Sequence, residues 1–100
     1  MPKGYIVARV DVDDADQYAL YAKGALEAMR IHGARILARG GRSEALEGEA
    51  RKRNVILEFE SYEQARRYYD SPEYQAAKKH REGVSRGEFL LVEGFDGEQP

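Results

Sequence analysis

The sequence contains no cysteine and no tryptophan, has three prolines, and nowhere runs more than a few apolar residues together. Without cysteine there is no disulfide, thiolate nucleophile, iron–sulfur cluster or Cys-based zinc site. Without a long apolar run no helix can span a membrane. An excess of one charge is also missing: 16 Lys and Arg face 18 Asp and Glu, a net charge of −2. That excludes both the basic footprint of a nucleic-acid binder and a like-charge interaction tail. Met1-Pro2-Lys3-Gly4 leads directly into a strand-like run with no signal-peptide stretch, which points to a soluble cytoplasmic protein.

Large aliphatics are scarce as well. Val, Ile, Leu, Met and Phe number 22 of 100 residues, and the 42% hydrophobic content is made up by 13 alanines and 7 tyrosines. A single domain of this size buries a modest share of its unfolded surface, so a thin core favours association with a second copy.

What is present is strongly periodic. Tyr5–Val12 alternates, with Ile6, Ala8, Val10 and Val12 on one face, as in a strand. Asp14 and Gln17 have capping-box spacing, and a helix with Tyr18, Tyr21, Ala22, Ala25, Ala28 and Met29 on its apolar stripe runs to His32-Gly33. Gly24 interrupts it, which calls for a close neighbour or a bend. Ala34–Arg39 reads as a second strand broken by Gly40-Gly41, and Arg42–Glu47 either continues it or forms an arm. Gly48–Arg53 reads as a polar, solvated hairpin tip, and Asn54–Glu60 as the clearest and most buried strand. Ser61 and Gln64 open another helix. Ser71-Pro72 restarts it after a kink and carries it to about Glu82. Gly83–Gly87 is expected to turn, Glu88–Glu93 to form the last strand, and Asp96–Pro100 to fray.

The order β-α-β-β-α-β predicts a ferredoxin-like α+β domain over residues 1–95 with a flexible 96–100 tail. Right-handed crossovers put both helical segments on one face of a four-stranded antiparallel sheet, in the spatial order last, first, third, second. The other face is left open and half apolar. Two such faces packed together would form a homodimeric α/β barrel, the assembly expected here.

Several short motifs support this architecture. Arg39-Gly40-Gly41, Leu46-Glu47-Gly48, Glu58-Phe59 with Ser61, Tyr69 with Ser71-Pro72-Glu73-Tyr74-Gln75, and Val92-Glu93-Gly94 resemble the domain of unknown function 1330 family over Tyr5–Phe95. Glu60 stands where that family often has proline. The resemblance implies the dimeric α/β-barrel superfamily but no particular reaction. That superfamily spans cofactor-free monooxygenases, haem-degrading enzymes, lactone isomerases and ligand-sensing domains.

Chemistry-bearing residues are few. His32 and His80 sit at helix ends, where a cation suits the dipole, and their spacing does not suggest a metal site. Haem would need one of them as an axial ligand, and nothing else supports it; no cofactor is expected. Arg39, Glu58 and Glu93 lie on strands, where charges must be paired with each other or with a ligand. Arg39 and Glu58 together would orient a carboxylate or phenolate. Tyr18, Tyr69 and Tyr74 are the candidate walls of an aromatic pocket. There is no dinucleotide-binding loop, nucleophile elbow or single-strand nucleic-acid platform. The expectation is a homodimer that binds a small, aromatic or carboxylate-bearing molecule in each subunit, with cofactor-free catalysis open. The alternatives are a ligand-sensing module without turnover or a purely structural dimer.

Overall fold

The computed structural model describes residues 2–100. The elements are β1 (Gly4–Val12), α1 (Ala15–His32), β2 (Arg35–Arg39), β3 (Arg53–Phe59), α2 (Tyr62–Asp70), α3 (Pro72–Lys78) and β4 (Ser85–Glu93). The strands form one antiparallel sheet in the order β2-β3-β1-β4, the expected ferredoxin-like arrangement.

Alternation decides which residues meet the helices. In β1, Gly4, Ile6, Ala8 and Val10 are buried. Their partners Phe59, Leu57 and Val55 on β3, and Leu91 and Phe89 on β4, join the same core. Tyr18, Tyr21, Ala25, Ala28 and Met29 of α1 close over it, with Ala65, Tyr68, Tyr74 and Ala77 of the later helices. Burying Tyr68, Tyr74 and Phe59, each 2% exposed or less, supplies ~2 kcal/mol or more apiece. The most buried strand is thus β1; β3, expected to be so, is half-buried over most of its length because it lies next to the uncovered strand β2.

Caps form as the sequence predicts. The side chains of Asp14, Ser61 and Ser71 accept the backbone N–H of Gln17, Gln64 and Tyr74, each at 3.1 Å. The Gln64 side chain, however, donates to the His32 carbonyl (2.7 Å), tying α2 to the end of α1. Ser71 is extended (φ −66°, ψ 151°) and separates α2 from α3. Gly24 meets α3: a Cβ there would lie 2.8 Å from Cβ of Ala77.

Three features differ from the sequence-based expectation. The irregularity in β2 falls between Ile36 and Ala38, bulging Leu37, while Gly40 (φ 73°) follows the strand end. Helix α3 stops at Lys78, short of Glu82. Strand β4 begins at Ser85, because Arg86 and Gly87 pair with Asp11 and Val10. Gly87 is therefore a strand residue: a Cβ at that position would run into the Arg9 carbonyl. Of the two alternatives for Arg42–Glu47 the structure has the arm: residues 40–52 carry no regular structure.

Gly48–Arg53 is exposed except at Arg51 and Arg53, and it is not free of the sheet. Arg51 clamps the arm to the sheet through Asp11 (3.0 Å) and, by both Nε and Nη2, through Glu88 (3.1 and 2.6 Å). The Lys52 N–H donates to Asp11 (3.0 Å), and Arg9 donates to the Glu49 carbonyl (2.8 Å). Those contacts hold Asp11 below the usual carboxylate range, chiefly through the Lys52 N–H, and Glu88 likewise through Arg51.

Candidate functional site

Between the sheet and the helices lies a crevice with about 40 Å³ of free space. The strands contribute Ile6, Val55, Leu57 and Phe89 to its wall, and α1 contributes Tyr21 and Met29. Tyr68, Tyr69 and Tyr74 close it from α2 and α3, and Arg39 and Arg53 enter from β2 and β3. This lining includes no acidic side chain.

The aromatic wall is one connected cluster. The rings of Tyr68 and Tyr74 are 5.0 Å apart, those of Tyr69 and Tyr74 5.1 Å, and those of Phe59 and Tyr68 5.1 Å. The hydroxyls of Tyr21 and Tyr74 share a buried hydrogen bond of 2.9 Å. Burial, reinforced by Tyr74, pushes the Tyr21 phenol well above its ordinary pKa, and burial does the same to Tyr68. These phenols stay protonated and act as walls and hydrogen-bond partners, not as bases.

Three arginines surround the cluster without a carboxylate partner among the described residues. Arg53 lies over the Tyr18 ring (5.4 Å), and its Nε is buried with no acceptor. Arg81 is packed against Phe89 (4.1 Å) and Tyr21 (5.3 Å) and donates to the Tyr74 hydroxyl (3.3 Å); its Nε also lacks an acceptor. Arg39 is exposed at the β2 edge of the crevice.

The sequence-predicted residues are only partly brought together. Tyr69, Tyr74 and Arg39 share the crevice, and Tyr18 stands behind Arg53. Arg39 and Glu58 are not a pair: Arg39 is opposite Val55 on the helix side, whereas Glu58 is opposite Tyr5 and Arg35 on the open side. Glu58 there accepts the Tyr5 hydroxyl (2.9 Å), a bond that raises the Tyr5 pKa. His32 joins Glu73 (2.8 Å) and links α1 to α3. His80 is exposed beyond α3, and Glu93 is exposed at the end of β4. Among the described residues no three His, Asp or Glu side chains are placed to hold a metal, and no helix is long and apolar enough to cross a membrane.

Arg53 and Arg81 were legible but overlooked. Arg53 shares the alternation of Val55, Leu57 and Phe59, and Arg81 lies seven residues beyond Tyr74, a spacing of two helical turns in the helix expected to reach Glu82.

The open face carries its own pattern. Leu90, Val7, Ile56 and Ala38 pair across all four strands in one apolar row. Arg9, Glu88 and Asn54 flank it on one side, and Tyr5, Glu58 and Arg35 on the other.

Sheet, crevice and open face together define a ferredoxin-like α+β protein, a fold shared by two solved neighbours that are described as dimeric. Residues 3–95 match the family model "Domain of unknown function (DUF1330)", and the chain belongs to that family. In solved structures it is similar to the protein of unknown function RPA0582 from Rhodopseudomonas palustris (TM-score 0.78, 17% identity, covering 96% of this chain and 85% of that one). It is also similar to SnoaB, a cofactor-independent oxygenase from Streptomyces nogalater (TM-score 0.60, 15% identity, 100% and 97% covered). A dimeric ferredoxin-like protein of unknown function from Bacteroides fragilis is another neighbour (TM-score 0.56, 15% identity, 91% and 95% covered). At these identities the likeness is one of fold. No curated protein matches the sequence significantly.

Proposed function

We propose that this chain works as a cytoplasmic homodimer in which each subunit binds a small organic molecule in the crevice between sheet and helices. The observation that carries the reading is a phenol-walled cavity bordered by Arg39 and Arg53 and lined by no acid. The free space of about 40 Å³ suits water, whereas small-molecule sites usually offer ~300 Å³ or more. Binding therefore requires the wall to give way. The β2 side is the natural mouth, because all five residues of β2 are exposed.

Dimerisation by the open face is supported by the apolar row through Val7 and Ile56 and by the exposure of Leu90 (58%) and Val92 (41%) on the same face. Native mass spectrometry of the purified protein, followed by denaturing analysis of what is released, tests both parts. Two chains with a retained small molecule are expected. A monomer would overturn the dimer, and a dimer that neither retains nor takes up any small molecule would leave a purely structural role.

A second reading, cofactor-independent oxygenation of the bound molecule, is favoured by the likeness to SnoaB. Oxygen uptake with consumption of a bound aromatic would establish it. Saturable binding without turnover leaves a ligand-sensing module.

A further inference from the structure

Charge distribution around the crevice specifies more than an apolar cavity would. Several basic side chains elsewhere find carboxylates: Lys3 with Glu60, Arg51 with Asp11 and Glu88, Arg66 with Asp70, Arg86 with Asp13. Arg39 and Arg53 have none, and they are the only charged side chains on the crevice wall among the described residues. The buried Nε of Arg53 is an unmet donor on a cation, an arrangement that is costly until an acceptor arrives. Arg81 is differently engaged. It is packed against two rings and already donates to Tyr74, so it holds that wall in place.

We propose that the crevice selects a flat, largely apolar molecule bearing one carboxylate, with the carboxylate on Arg53 and Arg39 and the body against Tyr69, Tyr74 and Met29. The inference rests on the crevice being the ligand site proposed above. A planar guanidinium presents paired donors matched to a carboxylate, and stacked rings accept a flat body. Two arginines against one carboxylate leave the wall cationic, so a monoanion is not repelled. A phosphate would bring a larger hydration shell into a wall that is otherwise phenol and hydrocarbon.

Isothermal titration with 2-naphthoate and its neutral isostere 2-naphthamide tests this on the wild type, Arg53→Gln and the exposed-site variant Arg39→Gln. The Met29 methyl NMR signal reports whether each probe enters the crevice, since the chain has only one other methionine. We expect the acid to bind about tenfold or more tightly than the amide. Arg53→Gln should remove most of that preference while leaving amide affinity within about twofold, and Arg39→Gln should reduce it. Should Arg53→Gln fail to fold by circular dichroism, Arg53→Lys, which keeps the charge but loses the paired donors, and Arg39→Gln carry the test. Acid and amide binding equally, both shifting Met29, would overturn the carboxylate and leave the crevice as a site. An acid preference surviving in every variant would also overturn it. Neither probe moving Met29 at millimolar concentration would sink the crevice reading itself.

Discussion

Ser71 shows how much one side chain can hold. Its hydroxyl donates to the Tyr68 carbonyl (2.7 Å) and accepts the Tyr74 N–H (3.1 Å), closing α2 and opening α3 at a site only 5% exposed. Ser71→Ala leaves the buried Tyr74 N–H without a partner, while the Tyr68 carbonyl keeps only the Ser71 N–H (3.2 Å). Urea unfolding should show a loss of about 2 kcal/mol, at the upper end for a cap because the site is buried. Tyr68 and Tyr74, which it anchors, are crevice walls, so the same variant should weaken any crevice ligand. Gly24 makes a complementary case. Alanine gains ~1 kcal/mol of helix propensity, yet its Cβ would meet Ala77 at 2.8 Å, and such overpacking costs ~1–3 kcal/mol. Gly24→Ala should therefore destabilise by about 1 kcal/mol. Combined with Ala77→Gly it should cost less than the two single changes summed, as a thermodynamic cycle would measure.

Among the elements, the 40–52 arm depends on electrostatics more than on packing. Its residues before Arg51 are exposed, and Leu46 is 88% exposed. It is held at its far end by Arg51, Asp11 and Glu88. Both carboxylates titrate below their ordinary values in the folded protein, so their contribution is present above the unfolded pKa and is lost as pH falls through the folded one. The arm should therefore stay docked at neutral pH and release below about pH 4. The Lys52 amide, bonded to Asp11, reports this directly: its NMR shift should titrate with a midpoint below the usual aspartate value. A shift unchanged down to pH 2, with the fold intact, would contradict this.

For the whole molecule the main question is the open face. A carboxylate at position 7 would sit mid-row between Leu90 and Ile56. In a monomer it would face water at little cost; in a face-to-face dimer it would be buried without a partner. Val7→Glu should convert the proposed dimer to a folded monomer, seen by sedimentation with unchanged circular dichroism. Persistence of the dimer would place the interface elsewhere.

Local rules settled most of the architecture. Period-two alternation in Tyr5–Val12, oxygen-bearing caps at Asp14, Ser61 and Ser71, and Gly33 in the left-handed region (φ 74°) act within a few residues, and element order then restricts the sheet topology. The same alternation contained the sidedness of Arg53, although its basic neighbours Arg51 and Lys52 suggested a loop tip. Other features depend on contacts between residues distant in sequence. Registry with β3 and a bulge at Leu37 put Arg39 on the helix side and Glu58 on the open side, separating two charges that looked like a pair. Pairing of Gly87 with Val10 lengthened β4, and the close approach of Ala77 accounts for Gly24. Whether an arginine is paired, stacked or left facing a cavity depends on which side chains tertiary packing places beside it, and local periodicity carries no such information.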